Sequence, residues 1–110
     1  MSITCFIRYE IDPYQRDAFA EYARVWGQAI PAAGADLIGY FGPHEASATT
    51  AYGVYTLPSL AEYECYRARL AASDLGRHNY AFAQRERFIR REDRIFLRRV
   101  SDPHALKDAP

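Results

Sequence analysis

Six residues of this 110-residue chain have side chains suited to binding a small molecule or moving a proton on it. They are two arginines, one histidine and three tyrosines: Arg8, Tyr40, His44, Tyr52, Tyr55 and Arg98. A histidine near a cavity mouth can act as a general base, or bind an anion when it is protonated. Either arginine can hold a carboxylate through two hydrogen bonds. A tyrosine hydroxyl can donate a hydrogen bond or a proton. We take these six residues as ligand-binding candidates.

Each candidate also has a purely structural interpretation. His44 lies in a stretch rich in turn-forming residues, where a solvent-exposed histidine needs no function. Arg8 can form an ion pair at a subunit interface, for instance with Glu10. The tyrosines can be amphipathic packing residues. These alternatives stay open. No catalytic set is recognisable, so the sequence leaves open whether the protein is an enzyme.

The sequence contains no pattern typical of a metal, haem or nucleotide site. His44, His78 and His104 are far apart and have none of the short spacings found in helical metal sites. No glycine-rich phosphate-binding motif occurs. Cys5 and Cys65 lie in different predicted elements and form no CxxC motif, so we interpret them as reduced core residues. We therefore expect no cofactor.

Charge and hydropathy argue against two broad classes of function. The formal net charge is +0, which argues against a dedicated nucleic-acid binder or membrane-surface binder. Five arginines in 85–94 alternate with acidic residues, which is typical of a solvated helix face rather than an RNA-binding patch. No apolar run approaches the roughly 20 residues needed to span a bilayer. The first ten residues lack the features of a signal peptide, so we expect a cytoplasmic protein.

Residues 35–57 are predicted to form two strands joined by a polar loop at 42–48. Aromatic and β-branched residues fill both strands, and apolar side chains fall on both faces, as in a sheet covered on both sides. Residues 3–11 alternate clearly and predict a first strand whose odd-numbered side chains face the helices. A last strand is predicted at 93–100, with Ile95 and Leu97 on one face.

Helices are predicted before and after this central pair of strands. Asp12 and Pro13 have the properties of a helix cap and a first helical residue, and the helix is expected to stop near Pro31. The apolar residues of this helix recur at helical spacing and should face the core; they are Phe19, Tyr22, Ala23, Trp26 and Ile30. Ser59 and Glu62 have the spacing of a capping box at the start of the second helix. One stripe of that helix is predicted to consist of Leu60, Tyr63, Tyr66, Arg67 and Leu70. Residues 73–76 should interrupt that helix, and a further helix is predicted over roughly 78–90.

The resulting element order, βαββαβ, predicts an α+β, ferredoxin-like fold with a four-stranded antiparallel sheet and helices on one face. We expect a single domain over 1–100 and a poorly ordered tail over 101–110. In the usual order of this fold we expect the first and last strands not to be direct neighbours, so Arg8 and Arg98 need not touch. The open sheet face should display Phe6, Arg8, Tyr40 and Phe96. This face is too apolar to remain exposed to water, which predicts that a second identical subunit covers it.

Several stretches together resemble the NIPSNAP family, within the dimeric α+β barrel superfamily. They are ITCFIRYEI followed by a helix, LIGYFGPHE, YTLPSLAEYECYRARL and ERFIRREDRIFLRRV. The resemblance covers about Ile3 to Val100. It implies a ferredoxin-like protomer and a homodimer with a barrel between the two sheets. Relatives in that superfamily include small monooxygenases, isomerases, haem-dependent enzymes and proteins with no known activity. NIPSNAP members mostly lack an assigned reaction.

These observations favour one functional hypothesis and leave two others open. The favoured hypothesis is a homodimer that binds a small aromatic or lipophilic molecule with an anionic group in a cavity between the dimer sheets, as a binding protein or a cofactor-free enzyme. The alternative is a non-catalytic protein-interaction module. A haem or metal enzyme is the third, minor hypothesis.

Overall fold

A computed structural model describes residues 2–101. The predicted tail lies, apart from Ser101, outside the described residues. The seven elements are β1 (Ile3–Ile11), α1 (Arg16–Ala32), β2 (Asp36–Phe41), β3 (Thr50–Leu57), α2 (Leu60–Ala72), α3 (Asp74–Glu86) and β4 (Ile89–Leu97). Among residues 2–101, no helix combines the length and the apolar character that crossing a bilayer requires.

The four strands form one antiparallel sheet in the order β2-β3-β1-β4. This confirms the predicted α+β, ferredoxin-like architecture. The expectation that the first and last strands are not direct neighbours is wrong, because β1 pairs with β4 along its length. Arg8 therefore lies across from Asp93 on β4 and across from Tyr52 on β3.

The first helix begins later and ends later than predicted. Asp12 does not cap it; its Oδ1 accepts a hydrogen bond of 2.9 Å from the backbone N–H of Tyr14, which forms a turn ahead of the helix. Pro31 lies inside the last turn. The backbone N–H of Ala33 donates to the Ala29 carbonyl at 3.0 Å, so the turn closes past the proline. Gly34 follows with a φ of 104°, a conformation that favours glycine.

The second half of the chain contains two short helices that meet at Ser73. The predicted cap at Ser59 is confirmed, since its hydroxyl accepts from the backbone N–H of Glu62 at 3.1 Å. Ser73 caps α3 in the same way, accepting from the N–H of Gly76 at 2.9 Å. The third helix begins and ends four residues earlier than the predicted 78–90, and β4 accordingly starts at Ile89.

The core lies between the sheet and the helices. The odd-numbered residues of β1 are all buried, as predicted, and α1 packs Phe19, Tyr22, Trp26 and Ile30 against them. The second helix contributes fewer buried side chains to the core than predicted. Tyr66 and Leu70 are buried, but Leu60 is 57% exposed and Cys65 is also exposed, so Cys65 is not a core residue.

The open face of the sheet is apolar, but its residues differ from those predicted. Phe6 and Arg8 lie there, while Tyr40 and Phe96 lie on the helix-covered face. Tyr40 is displaced because β2 has an irregularity between Leu37 and Gly39 that changes the side of every later residue. Phe96 pairs with the inward-facing Cys5. The apolar sheet patch, as we name it, consists of Phe6, Phe41, Tyr52, Val54, Ile95 and Leu97.

Candidate functional site

An internal cavity of about 30 Å³, here named the inner chamber, lies between the sheet and the three helices. Every strand and every helix contributes to its wall. Its lining is rich in tyrosines, which are Tyr9, Tyr22, Tyr40, Tyr55, Tyr66 and Tyr80. A volume of this size holds one or two water molecules or one small chemical group.

One end of the chamber carries paired hydroxyls from two strands. The Tyr9 and Tyr40 hydroxyls lie 3.1 Å apart, within hydrogen-bonding distance. Tyr40 reaches this position because Gly53, its neighbour on β3, has no side chain. A Cβ at Gly53 would lie 2.7 Å from Cζ of the Tyr40 ring, which is closer than carbon atoms approach.

Burial keeps these tyrosines protonated. It raises the pKa of Tyr22 to about 12, and it raises the pKa of Tyr9 and of Tyr40 well above the ordinary value of a phenol. Burial also raises the pKa of Tyr55 and of Tyr66. At neutral pH the chamber is therefore lined by neutral hydroxyls that can donate hydrogen bonds.

The indole of Trp26 supplies a further donor in the chamber wall. Trp26 is 3% exposed, and its Nε1–H is buried without a hydrogen-bond partner among residues 2–101. The indole N–H lies near enough to the Tyr22 hydroxyl to lower the pKa of that group, in opposition to the larger effect of burial. Their contact nevertheless falls short of a hydrogen bond. Unpartnered buried donors are uncommon, and one of them in a cavity wall is a feature to explain.

The chamber opens to solvent beside β4, where its lining side chains are partly exposed. Glu92 and Arg94 project from β4 and form an ion pair of 3.0 Å, with 35% and 30% of their side chains exposed. Arg67 on α2 donates to the Tyr63 hydroxyl at 2.7 Å. Burial lowers the pKa of Arg94, but its neighbours, the Glu92 carboxylate among them, raise it by more, so the guanidinium stays charged.

A larger depression of about 390 Å³, the outer cleft, lies next to the chamber along α3 and β4. The two spaces share Tyr22, Tyr80 and Glu92 as walls. Binding sites for small organic molecules usually have volumes of roughly 300 to 1,000 Å³. The outer cleft is therefore large enough for one aromatic ring, while the inner chamber can receive only a small group attached to it.

The structure separates the six predicted candidates into three groups. Tyr40 and Tyr55 line the inner chamber. Arg8 and Tyr52 are cross-strand neighbours on the open face. His44 is exposed in the loop after β2, and Arg98 is exposed after β4. The last two border neither the chamber nor the cleft.

Sequence reasoning missed Arg94, Glu92 and Trp26. The alternation of charge places both Glu92 and Arg94 on a solvated helix face, although the predicted strand at 93–100 already contains Arg94; in the structure both residues lie on β4. A strand beginning at Ile89 places Glu92, Arg94 and Phe96 on one face, and this alternation with a period of two was the available signal. Trp26 was correctly predicted to face inward, but its unpartnered N–H is visible only in the folded structure.

Other reactive groups do not form a site. Among residues 2–101, no three His, Cys, Asp or Glu side chains are grouped so that they could hold a metal ion. Burial raises the pKa of the Cys5 thiol, which disfavours the reactive thiolate.

The fold and the chamber together define a ferredoxin-like α+β protein with a tyrosine-lined internal cavity that opens beside its last strand. The family model for NIPSNAP matches residues 4–103, and the chain belongs to the NIPSNAP family. No curated protein matches the sequence.

Solved structures similar to this chain come from several bacteria. An Agrobacterium tumefaciens NIPSNAP family protein is 23% identical with a TM-score of 0.75, over 94% of this chain and 98% of that one. An uncharacterised NIPSNAP-like domain protein from Burkholderia xenovorans is 20% identical with a TM-score of 0.73, over 93% and 90%. A provisionally assigned antibiotic biosynthesis monooxygenase from Nitrosomonas europaea is 10% identical with a TM-score of 0.69, over 92% and 100%. These likenesses show the fold.

Proposed function

We propose that this protein is a homodimer in which each protomer binds a small aromatic or lipophilic molecule with an anionic group. The ligand lies in the outer cleft and extends toward the inner chamber. The observation that carries the proposal is the position of Arg94, a charged guanidinium that lines the inner chamber and is paired with Glu92, a residue that both spaces share. This location differs from the predicted cavity between two sheets, because Tyr40 and Tyr55 face the helices.

The charges at this junction favour an anion. Arg67 and Arg94 both line the chamber, whereas Glu92 is the one acidic residue in its lining. Arg94 contacts Glu92 through a single nitrogen, Nη2, in the 3.0 Å pair. A guanidinium has five N–H donors, so others remain for a ligand carboxylate.

The surrounding surface favours an aromatic or lipophilic body. Ala83 and Ile89 line the outer cleft beside the rings of Tyr22 and Tyr80. Aromatic rings in a wall of this kind stack against a planar ligand or pack on an aliphatic one. A ligand in the cleft thus has apolar contacts along its length and a cation near one side.

The chamber lacks an unpaired base, so the proposal is one of binding and assigns no reaction. Burial raises the pKa of Tyr9, Tyr22 and Tyr40, which keeps these hydroxyls protonated, and the carboxylate of the chamber, Glu92, is paired with Arg94. A proton acceptor in catalysis needs a pKa near the working pH.

The dimer is inferred from the apolar sheet patch. Phe41, Ile95 and Leu97 are 53%, 53% and 49% exposed on the open face of the protomer. The charges beside the patch are balanced, since Arg8 lies across from Asp93 and Glu10 lies across from Arg91. An identical partner can therefore cover the patch without placing like charges in excess against each other, as a two-fold symmetric interface requires.

Calorimetric titration with two matched probes tests ligand binding. 4-Ethylbenzoate has the ring and the anion, and 4-ethylbenzyl alcohol has the ring alone. We expect the acid to bind at least tenfold more tightly than the alcohol. We expect Arg94→Gln to weaken binding of the acid by about tenfold, because a charge-assisted hydrogen bond contributes about 1.5–3 kcal/mol.

A matched control for this variant is Arg85→Gln, which removes a charge from the last turn of α3 at a side chain that is 64% exposed. It should leave binding unchanged. Equal binding of the acid and the alcohol, or equal losses in the two arginine variants, contradicts an anion site at Arg94. No detectable heat with either probe contradicts binding in the cleft.

A further inference from the structure

Two arginines in the wall of the inner chamber share a single carboxylate. Arg67 and Arg94 both line the chamber, and Glu92 is the one acidic residue of its lining among residues 2–101. Two guanidinium charges set against one carboxylate leave one positive charge in the wall without a counter-charge. The wall therefore favours a guest that carries one negative charge over a neutral guest or a cation.

The two guanidinium groups lie close to each other. The Tyr63 hydroxyl raises the pKa of Arg67, and the nearby charge of Arg94 opposes that effect. Arg67 uses Nη1 for its hydrogen bond to Tyr63, and Arg94 uses Nη2 for its contact with Glu92. Each guanidinium has further N–H groups, so both can donate to one anion placed between them.

Two tyrosine hydroxyls in the chamber wall lie near Arg94. Tyr55 and Tyr66 are almost fully buried, and their ring centroids are 5.2 Å apart. Burial raises the pKa of both phenols, and the positive charge of Arg94 opposes this effect at both of them. Both hydroxyls stay protonated, so an anion beside Arg94 also has neutral hydrogen-bond donors within the same wall.

The volume of the chamber limits the shape of the anion. About 30 Å³ is room for roughly two water-sized atoms. A carboxylate has two oxygens in one plane and fits this space. A sulfonate or a phosphate group has three terminal oxygens around a tetrahedral centre and exceeds it. A doubly charged phosphate also carries more charge than the wall can balance.

We propose that the inner chamber is a carboxylate site, in which Arg67 and Arg94 together hold a planar, singly charged group and exclude sulfonates and phosphates. The carboxylate enters the chamber, and the aromatic or lipophilic body of the ligand remains in the outer cleft, past the walls that the two spaces share. This inference rests on the proposed function for the position of that body. It adds Arg67 as a residue that determines specificity.

The test compares 4-ethylbenzoate with 4-ethylbenzenesulfonate by calorimetric titration. Both have the same ring, the same tail and one negative charge, so they differ in the shape of the anionic group. We expect the benzoate to bind about tenfold more tightly, because a sulfonate held outside the chamber loses its charge-assisted hydrogen bonds to the arginines. Equal binding, or tighter binding of the sulfonate, overturns the proposal.

A variant with a larger chamber separates the effect of shape from the greater basicity of a carboxylate. Ile7 lines the chamber and lies directly across from Arg94 on the neighbouring strand. Ile7→Val removes one methyl group there and keeps every charge. The preference for the benzoate should fall in this variant because the sulfonate gains room. An unchanged preference would show that the chamber does not select by shape.

The part played by Arg67 is tested with Arg67→Gln. We expect it to weaken 4-ethylbenzoate binding by about fivefold and to leave sulfonate binding unchanged, because the sulfonate does not enter the chamber. Arg85→Gln is again the control and should change neither. A loss for the benzoate no larger than that in Arg85→Gln would remove Arg67 from the site.

Failure of this inference is distinguishable from failure of the proposed function. If the benzoate and the sulfonate bind equally and both depend on Arg94, the anion site stands and the carboxylate selectivity is wrong. If neither aromatic anion binds, the proposed function is wrong, and formate then tests the chamber alone. The signal of the Arg94 Nε–H, assigned by its loss in Arg94→Gln, should shift saturably with formate and not with methanesulfonate. No shift with formate overturns the carboxylate site.

Discussion

The hydroxyls of Tyr9 and Tyr40 lie 3.1 Å apart, although 31 positions separate the two residues in the chain. The contact joins the centre of the sheet to its edge, since β1 is an inner strand and β2 an outer one. It exists because an extra residue in β2, between Leu37 and Gly39, turns Tyr40 toward the helices. This pair defines the polar end of the inner chamber.

Removing one hydroxyl of that pair should destabilise the protein modestly. We expect Tyr40→Phe to lower the free energy of unfolding by about 1 kcal/mol, because a buried hydroxyl loses its partner. Urea unfolding at a fixed protein concentration measures it. Tyr14→Phe is the control, since Tyr14 is 93% exposed and the change should cost less than about 0.5 kcal/mol. Equal effects of the two substitutions would show that the buried contact adds no stability.

Two glycine-to-alanine substitutions should act in opposite directions. A Cβ at Gly53 meets the Tyr40 ring at 2.7 Å, so Gly53→Ala should destabilise by about 1–3 kcal/mol. Gly27 lies within α1 with nothing within 4 Å of an added Cβ, so Gly27→Ala should stabilise by up to about 1 kcal/mol. Thermal unfolding of both variants tests this contrast. A neutral Gly53→Ala would mean that Tyr40 can move away freely.

The apolar sheet patch should control the oligomeric state. Ile95→Asp places a charge on an exposed part of the patch, where it disfavours burial against a partner without disturbing the protomer core. Sedimentation velocity at micromolar concentration should show a dimer for the wild type and a monomer for this variant. Leu60→Asp on α2, which is 57% exposed and remote from the patch, should remain a dimer. A wild-type monomer at that concentration refutes the dimer.

Stability should fall with alkaline pH because of the buried tyrosines. Burial raises the pKa of Tyr22 from an ordinary value of 10.0 to about 12. Above pH 10 the unfolded chain loses this proton while the folded protein retains it, so the unfolded state binds fewer protons and stability decreases as pH rises. The contribution of the buried Tyr22 proton to the free energy of unfolding is fully present below pH 10, and about 2–3 kcal/mol of it is lost by pH 12.

Urea unfolding at pH 8, 10 and 11 measures this loss. Tyr22→Phe lacks the titrating group, so its stability should decrease less steeply over the same range than that of the wild type. Parallel decreases in the two proteins would mean that Tyr22 does not contribute to alkaline destabilisation.

The candidate site shows where inference from sequence alone ends. The inward orientation of Trp26 and Tyr22 follows from helical spacing and was predicted correctly. The helix-facing position of Tyr40 could not be predicted, because an alternating pattern assumes an uninterrupted strand and one extra residue inverts it. Arg94 was missed because a charged side chain is expected to face solvent. Its partial burial costs free energy, and the ion pair with Glu92 offsets that cost.

The sequence by itself determined the element order, the family and the buried face of β1 and α1, because these depend on local periodicity and on caps such as Ser59. The tertiary structure alone decided the register of β4 on β1, the side on which Tyr40 and Phe96 lie, and the meeting of four strands and three helices around one chamber. Those features depend on contacts between residues far apart in the chain. Alternative pairings of these residues have comparable free energies until the whole core is packed.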